Sequence, residues 1–559
     1  MCFASRLRAF CPVPALLASF CWLALLTTII GALPCAAQAQ SPVSKVWVPD
    51  LGDGRYKNPV LYADYSDPDA IRVGSDFYLT SSSFNCVPGL QILHSKDLVN
   101  WSLIGAVFNE QPPLARYAVP QHGNGVWAPA LRYHNKEFYI YYPDPDLGIF
   151  VTKAKNPAGP WSAPVCIKEA KGWIDPCPLW DADGRAYLVH GFAGSRAGIK
   201  TILAVSPMAP DGLSLTGPDA LVFDGHQGHP TLEGPKFYKR NDYYYIFAPA
   251  GGVPTGWQLV LRSKNVYGPY EERIVMDQGK TPINGPHQGA WVDTDAGEDW
   301  FLHFQDQGPY GRVVHLQPMQ WKNDWPVIGE DPDGDGKGQP VLTYHKPNIK
   351  GKPQPLATPP TSDDFSANQL GRQWQWHANP QDYWVYLNGP QGYLRLYAMP
   401  LAEGYKNLWQ QPNLLLQKLP ADVFTVTTKL RFDSRLEGEK VGLVMMGLDY
   451  GYISLTNQGG KLQLSQSTCK DADKGPAETT TPAVPVAQAQ QPVYLRVTVK
   501  AGAKCQFSYS FDGQAFQPLG SEFQAREGKW IGAKVGLFCT RPGKFNDSGN
   551  ADIDWFRIE

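Results

Sequence analysis

Five short hydrophobic segments recur at a near-regular interval through roughly the first 300 residues of the chain. They are Phe77–Leu79, Phe138–Ile140, Ala186–Leu188, Tyr244–Ile246 and Trp300–Leu302. Their spacing of roughly 50 to 60 residues is slightly above the period of a four-stranded propeller blade. A repeat of this length indicates one supersecondary unit used several times, and such units stack in a ring around a central axis. We therefore predict a five-bladed β-propeller.

A different polar or aromatic motif precedes each of these segments by about ten residues. The motifs are Asp67-Pro68-Asp69, Trp127-Ala128-Pro129, Asp175-Pro176, Glu233-Gly234-Pro235 and His287-Gln288-Gly289. Because they occupy equivalent positions in the repeat, we expect them to meet around the central channel, where propellers build their sites. Two aspartates, one glutamate and an aromatic side chain in one cup are the groups that glycosidic bond cleavage uses.

The overall composition supports an all-β chain and excludes some partners. The formal net charge is -2 and the pI is about 6.6, which argues against nucleic acid or an anionic membrane surface as a partner. Charged residues make up 18% and aromatic residues 12%, with 54 Gly and 50 Pro. This balance favours short strands and tight loops, and no long helical periodicity is present.

The N-terminus has the features of a secretion signal. Arg6 and Arg8 precede an apolar stretch at about 14–33, and Ala37-Gln38-Ala39 is a small-x-small cleavage site. We predict a signal peptide over residues 1–39, a secreted or periplasmic protein, and no membrane association after cleavage. An uncleaved anchor is the alternative, since about 20 apolar residues span a bilayer. Six cysteines remain after residue 39, and the sequence does not determine their pairing.

The remaining chain divides near residue 350. The propeller is predicted over residues 43–345, and a Pro-rich linker over 346–362 favours extended backbone. From 363 to 559 the pattern changes to alternating strands, which predicts a β-sandwich. Asp512-Gly513 predicts a hairpin turn, and the segment from Gly475 to Gln491 an exposed loop. The predicted strands include Phe424–Phe432, Val441–Leu455, Tyr494–Lys500, Cys505–Phe511 and Ile531–Cys539.

Seven motifs follow one another through the propeller region. They are Asn58-Pro59-Val60-Leu61, Tyr65-Ser66-Asp67-Pro68-Asp69, Leu93 to Trp101, Val126-Trp127-Ala128-Pro129-Ala130-Leu131, Ile174-Asp175-Pro176, Leu232-Glu233-Gly234-Pro235 and Gly311 to Pro318. In these motifs and in their order, the propeller region resembles glycoside hydrolase family 43 over its whole length. The sandwich resembles the concanavalin-like C-terminal domain of the β-xylosidase-like and arabinofuranosidase-like branches of that family.

The resemblance implies an inverting hydrolase with three carboxylates in separate roles. It makes Asp67 the general base, Glu233 the general acid, and Asp175 the residue that tunes and orients the acid. This division suits the chemistry, because a base must be ionised to activate water while an acid must hold its proton until the leaving oxygen takes it. A nearby carboxylate helps an acid to stay protonated, since like charges disfavour ionisation. A similar Asp144-Pro145-Asp146 lies out of phase with the repeat, and we interpret it as a turn.

Four further residues are candidate contacts for the sugar. Trp127 is expected to form a wall against the sugar ring, with blade packing as the alternative. The resemblance places Phe84 in the same pocket, although a core role is also open. It gives Arg312 contacts to a sugar hydroxyl and to the base, where a structural ion pair is the alternative. It places His287 at the channel centre, reaching a calcium ion or a water cluster, whereas a lone histidine is often a structural hydrogen-bonding group.

No cofactor is required for this chemistry. In the sandwich, the resemblance allows Asp364 and Asp554 to share a structural calcium, and two solvated edge carboxylates are an equal account of them.

The sequence therefore predicts an exo-acting hydrolase that releases xylose or arabinose from hemicellulose-derived oligosaccharides. The substrates would be arabinoxylan, xylo-oligosaccharides or arabinan. One alternative is a non-catalytic carbohydrate-binding propeller, which is disfavoured because all three carboxylates are present. Another is a fructan-acting propeller enzyme, but its Asn-Asp-Pro-x-Gly start does not fit Ser66-Asp67-Pro68-Asp69. The choice between β-xylosides and α-L-arabinofuranosides, exo or endo action, and the oligomeric state all stay open.

Overall fold

The structure is a computed structural model that describes residues 43–486 and 491–559. The predicted signal peptide, residues 1–39, lies outside the described residues. Within those ranges, no helix is both long and apolar enough to cross a membrane. Helices in the described residues are single turns: two α-helices, Leu114–Tyr117 and Gly194–Ala197, and the 3₁₀ helices Gly308–Tyr310, Gly389–Gln391, Leu408–Gln410 and Ala472–Lys474.

In the described residues, five antiparallel sheets of four strands each form the predicted five-bladed propeller. Blade 1 contains strands Asp69–Val73, Asp76–Thr80, Gly89–Ser95 and Trp101–Phe108. Blade 2 contains Ala130–His134, Glu137–Asp144, Gly148–Ala154 and Val165–Glu169. Blade 3 contains Trp173–Trp180, Ala186–Phe192, Ile202–Met208 and Ala220–Asp224. Blade 4 contains Lys236–Arg240, Tyr243–Ala250, Trp257–Ser263 and Glu271–Met276. Blade 5 contains His287–Asp293, Asp299–Asp306, Arg312–Lys322 and Trp325–Ile328.

All five hydrophobic segments of the repeat lie in the second strand of a blade. These strands are almost continuously buried, as in Tyr243–Ala250, because each blade is covered on both faces by its neighbours. The first strands of blades 5, 1, 2, 3 and 4 contact one another in that order, so they line the central channel. The five motifs lie within or just before these inner strands, and the ring therefore brings them together at the channel, as the repeat predicts.

The ring is closed by apolar packing and by the segment before blade 1. Leu79 of blade 1 and Leu302 of blade 5 belong to one buried cluster. Leu61 pairs through its backbone with Val314 of blade 5. A two-stranded sheet of Arg55–Lys57 and Thr343–His345 joins the two ends of the propeller region.

The C-terminal region is a sandwich of two mainly antiparallel sheets around one apolar core. In its described part, the nine-stranded sheet contains Gln375–Trp376, Met399–Pro400, Leu415–Lys418, Lys440–Met446, Tyr450–Gln458, Lys461–Cys469, Thr479–Thr480, Val484–Pro485 and Lys534–Arg541. The eight-stranded sheet contains Val385–Asn388, Tyr393–Tyr397, Phe424–Asp433, Val493–Lys500, Lys504–Ser510, Gln517–Pro518, Phe523–Gln524 and Asn550–Ile558. All six cysteines after residue 39 lie in the described ranges and are free thiols.

Two details of the sandwich differ from the sequence-based expectation. The run Val441–Leu455 is two strands, since the chain turns after Met446 at Gly447. A Cβ at Gly447 would lie 1.9 Å from the backbone oxygen of Arg526, so only glycine permits this turn. The expected loop after Gly475 contains two short strands, and the Glu478 carboxylate holds it against the sheet by accepting hydrogen bonds from two tyrosine hydroxyls.

Candidate active site

Asp67 is a buried carboxylate that accepts hydrogen bonds from three side chains. Ser82 donates to Oδ2 at 2.6 Å and Ser66 to the same oxygen at 2.8 Å. Arg312 donates from Nη1 to Oδ1 at 3.0 Å and also to the Ser66 hydroxyl at 2.7 Å. A guanidinium and two hydroxyls hold both oxygens of the carboxylate in place, as the positioning of a general base requires.

Asp69, two residues along the same motif, has a structural role. Its side chain is fully buried and its Oδ2 accepts from Arg132 Nη1 and from the backbone N–H of Leu131, each at 2.7 Å. These bonds tie the first strand of blade 1 to that of blade 2. Of the two aspartates in Asp67-Pro68-Asp69, only Asp67 has contacts that suit a catalytic base.

Asp175 and Asp67 share an unusual backbone conformation. Their φ angles are 56° and 52°, in the left-handed region that residues other than glycine seldom adopt. Each of the two residues precedes a proline. Asp175 lies at a bulge in the first strand of blade 3. The repeat therefore places the two carboxylates on the same kind of strained turn, and such strain is common at functional sites.

Asp175 is electrostatically linked to Glu233. Its Oδ2 accepts from the backbone N–H of Gly234 at 2.7 Å, directly after Glu233. Burial raises the pKa of the Asp175 carboxyl, the negative charge of Glu233 raises it further, and the pKa reaches about 8. Asp67 adds a smaller effect of the same sign, so both of the other carboxylates raise the pKa of Asp175. Because two adjacent carboxyls do not ionise together readily, the Asp175–Glu233 pair retains one proton near neutral pH.

Glu233 is the accessible member of this pair. Its side chain is 27% exposed, whereas Asp175 is 2% exposed, so Glu233 can reach a bound ligand. Its Oε1 is hydrogen-bonded to Nε2 of His287 at 2.8 Å. The His287 ring is completely buried, and its Nδ1 has no hydrogen-bond partner in the described part of the chain. His287 therefore orients Glu233, a contact that the sequence did not predict.

Trp127 is held at the rim of the site by contacts on several sides. Its indole N–H donates to the backbone oxygen of Gly123 at 2.7 Å. The Arg196 guanidinium lies 5.3 Å from the ring centroid, and Trp530 of the sandwich meets the ring edge to face at 6.5 Å. The half-buried ring is thereby kept in one orientation, as a stacking wall for a sugar requires.

Arg196 is itself anchored by the loop that contains Asp146. It donates to Asp146 Oδ1 at 3.2 Å and to Asn124 Oδ1 at 2.6 Å. Asp146 also accepts from Arg116 at 2.6 Å. The out-of-phase Asp144-Pro145-Asp146 does form a turn, as predicted, but its second carboxylate also fixes the arginine that stacks on Trp127.

Phe84 lies next to the Trp127 segment. Its backbone pairs with Val126 through two hydrogen bonds of 2.9 and 3.1 Å, and its side chain is 3% exposed. Its φ of 52° is again left-handed. Phe84 thus lies beside the predicted sugar wall, although its burial leaves only a small part of the ring accessible.

The sandwich contributes to this side of the propeller. The backbone N–H of Gly532 donates to Asp64 Oδ2 at 3.0 Å, while the Arg312 N–H donates to Asp64 Oδ1 at 2.9 Å. One carboxylate therefore joins a sandwich loop to the strand that carries Arg312. Trp530, two residues before Gly532, is brought against Trp127 by this loop. No motif in the sequence links residue 530 to the site, so only packing could identify it.

Asp364 and Asp554, the two candidate calcium ligands, each have another partner in the structure. Lys429 Nζ lies 2.6 Å from Asp554 Oδ2, and a cation in that position disfavours a calcium ion. Asp364 Oδ1 accepts from the hydroxyl and the N–H of Ser366 at 2.7 and 3.1 Å. These contacts do not fit a calcium shared by the two residues. In the described ranges, no group of three or more His, Cys, Asp and Glu side chains is arranged to hold a metal ion.

Comparison with known proteins agrees with this geometry. Residues 56–326 match the model of "Glycosyl hydrolases family 43", and residues 362–559 match "Beta xylosidase C-terminal Concanavalin A-like domain". The chain is 40% identical to a putative β-xylosidase of Xylanibacter ruminicola over 88% of its own length and 87% of that protein. It is 30% identical to a non-reducing end α-L-arabinofuranosidase of Bacteroides ovatus over 90% and 95% of the two chains. The crystal structure of the GH43 protein BlXynB from Bacillus licheniformis is similar with a TM-score of 0.78, 28% identity, and coverage of 90% and 99%.

Proposed function

The chain belongs to glycosyl hydrolase family 43 and is a glycoside hydrolase, and on that premise we propose that it is a secreted, inverting, exo-acting enzyme that releases xylose or arabinose from hemicellulose-derived oligosaccharides. The observation that carries this proposal is the contrast between the two carboxylate environments. Asp67 accepts hydrogen bonds from a guanidinium and two hydroxyls, whereas burial and the charge of Glu233 raise the pKa of Asp175. A base and an acid at the same channel are what single-displacement hydrolysis requires.

In the proposed mechanism, Asp67 activates the attacking water. Arg312 and Ser82 hold its two oxygens, so the carboxylate stays fixed while it accepts a proton from water. The activated water attacks the anomeric carbon, and the configuration at that carbon inverts. Arg312 balances the charge of Asp67 before the proton transfer.

Glu233 protonates the leaving oxygen in the same step. Its partial exposure lets it reach the substrate, and the hydrogen bond with His287 orients its carboxyl group. Asp175 is buried and accepts a hydrogen bond from the backbone N–H of Gly234, so it does not itself contact the substrate. Its role is to keep one proton on the Asp175–Glu233 pair. Trp127 supplies a face for the sugar ring. No cofactor takes part in these steps.

Exo action is supported by the sandwich loop at residues 528–532. Trp530 lies edge to face against Trp127 and reduces the room on that side of the sugar wall. A pocket that is closed on one side accommodates a chain end more easily than the middle of a chain. The names of the relatives support both xylosides and arabinofuranosides, so arabinoxylan, xylo-oligosaccharides and arabinan are the proposed substrates.

A panel of aryl glycosides tests the substrate, with β-xyloside compared against α-L-arabinofuranoside. Product analysis on arabinoxylan and arabinan should then show monosaccharides from the first time point. Internal products of mixed length would contradict exo action. Sequencing the N-terminus of the exported protein tests the proposed signal cleavage after Ala39.

Proton NMR of the first product tests the mechanism. The released sugar should show the inverted anomer before mutarotation. Inversion also requires the carboxyl groups of Asp67 and Glu233 to lie roughly 6.5 to 9.5 Å apart, which leaves room for the water. A retained anomer would mean a double displacement and would remove Asp67 from the role of base.

A further inference from the structure

The sandwich carries three exposed aromatic side chains around one depression. Tyr383 and Tyr386 are each 57% exposed and Phe545 is 54% exposed. Large aromatic side chains are usually more deeply buried, and their clustering on a surface commonly marks a binding site. With Tyr397, which meets Tyr386 edge to face at 5.9 Å, they line a depression of about 430 Å³.

A second, more polar depression lies beside the first and is lined by strands of both sandwich sheets. Tyr397 lines the first depression and its cross-strand partner Asn550 lines the second. The second has a volume of about 630 Å³. We call the two together the sandwich groove. The other side chains of the second depression that could contact a ligand include Gln391, Tyr393, Arg431, Asp433, Asn457 and Asp552.

One buried polar atom of the groove lacks a partner. Asn457 is 8% exposed and its Nδ2 donates to the backbone oxygen of Leu436 at 3.0 Å, but its Oδ1 accepts no hydrogen bond from the described residues. A buried acceptor without a donor is unfavourable. A ligand hydroxyl, which can donate, would satisfy it.

The charges along the groove are balanced by neighbours. Asp552 accepts two hydrogen bonds from Arg395 at 2.6 and 2.8 Å, and Arg435 lies 2.7 Å from Asp547. Arg541 donates to the backbone oxygens of its surroundings, among them that of Phe545. The lining therefore has polar atoms without a strong field of one sign, which favours a neutral ligand over an anionic one.

We propose that the sandwich groove is a second saccharide-binding site, separate from the propeller channel. Exposed rings stack against the apolar faces of sugars, and adjacent amide, carboxylate and guanidinium groups bind hydroxyls. A neutral chain of pentose units has both the apolar ring faces and the hydroxyl groups that such a lining binds. Its identification as hemicellulose rests on the proposed function. Binding there would hold the enzyme on the polymer whose ends the propeller site cleaves.

The test uses the full chain with Glu233→Gln, so that the polymer is not consumed. Binding to insoluble arabinoxylan is compared with and without the added pair Tyr386→Ala and Phe545→Ala. Loss of two stacking rings should weaken binding by roughly tenfold. The matched control is Tyr133→Ala, which removes an exposed tyrosine of the propeller. Unchanged binding in the Tyr386/Phe545 variant would overturn the proposal.

Two further measurements separate this site from the catalytic one. In the otherwise wild-type chain, Tyr386→Ala with Phe545→Ala should leave KM and kcat for a short aryl glycoside unchanged, and circular dichroism should be that of the parent. If activity on the aryl glycoside falls as much as polysaccharide binding does, the groove is part of the active site instead.

Sedimentation velocity tests the other possible occupant of the groove, a second copy of this chain. A dimer that dissociates in the variant, with no change in polysaccharide binding, would make the groove a subunit interface and overturn the proposal.

Discussion

His287 Nε2 lies 2.8 Å from Glu233 Oε1, and the imidazole ring is completely buried while the carboxyl group is partly exposed. A fixed residue of blade 5 thus orients a functional carboxyl group in the loop before blade 4. The contact gives His287 a positioning role that depends on Glu233.

We expect His287→Asn to lower kcat on a xylo-oligosaccharide by about tenfold to a hundredfold, because the acid loses its orienting partner. Turnover of an aryl glycoside with a good leaving group should fall much less, since such a group needs little protonation. Steady-state kinetics on both substrates measures the difference. The control is His226→Asn, an exposed histidine that pairs with Asp224. Equal losses on the two substrates would show that His287 acts only through folding.

The two carboxylates that we assign to chemistry should be separable by leaving group. Asp67→Asn and Glu233→Gln should each lower kcat by two or more orders of magnitude, as loss of a positioned base or acid does. An activated aryl substrate should partly rescue Glu233→Gln and leave Asp67→Asn inactive. Asp183→Asn is the control, since Asp183 pairs with Arg185 at an exposed turn. Activity within tenfold of the wild type in either variant would exclude that residue from the mechanism.

Asp175 should determine the alkaline limb of the pH–rate profile. Its pKa is raised to about 8 by burial and by Glu233, so the pair holds its proton below about pH 8 and loses it above. Asp175→Asn removes the group that carries this raised pKa, so the pair no longer holds the proton that is lost near pH 8. The alkaline limb of kcat should therefore move to lower pH, while the acid limb stays. A profile of unchanged shape with normal turnover would leave Asp175 as a structural turn.

Arg196 should act on substrate binding through Trp127. Arg196→Gln removes the cation above the indole ring and its bonds to Asp146 and Asn124. We expect KM to rise by roughly threefold to tenfold with little change in kcat, because the sugar wall loses its fixed orientation. The tryptophan emission change on adding xylose should also diminish.

The control for Arg196→Gln is Arg240→Gln. The Arg240 guanidinium stacks on Trp321 with its carbon 4.4 Å from the ring centroid, among the strands of blades 4 and 5. It is the same kind of contact away from the catalytic carboxylates. If Arg240→Gln raises KM as much as Arg196→Gln, the effect is a general loss of stability, and the specific role of Arg196 is contradicted.

Much of the propeller could be predicted from sequence because the pattern that specifies a blade is short and occurs five times along the chain. Each blade encodes an inner motif followed by a buried strand, and five such units must close around one axis. This is why the sequence alone predicts that Asp67, Asp175, Glu233 and His287 lie at one channel. The change from the propeller pattern to alternating strands near residue 350 likewise predicted the second, sandwich-like region.

The specific contacts of the site depended on the tertiary structure. Arg312 meets Asp67 across 245 positions of sequence, and the resemblance suggested this pair while the spacing alone could not. His287 was expected at the channel but not as the partner of Glu233. The sandwich also brings Lys429 to Asp554, whereas the partner of Asp364, Ser366, is a neighbour only two residues along the chain.

The chain by itself therefore determined the ring, the order of its motifs and the types of side chain around the channel, since these follow from a short-range pattern. Only the tertiary structure decided that Trp530 of the sandwich would face Trp127, that Asp146 would anchor Arg196, and which carboxylates would share a proton. The physical reason is that burial, electrostatic coupling and contacts between distant loops depend on how the blades and the sandwich pack. Burial, coupling and contacts of this kind leave no periodic pattern or fixed spacing of residues in the sequence.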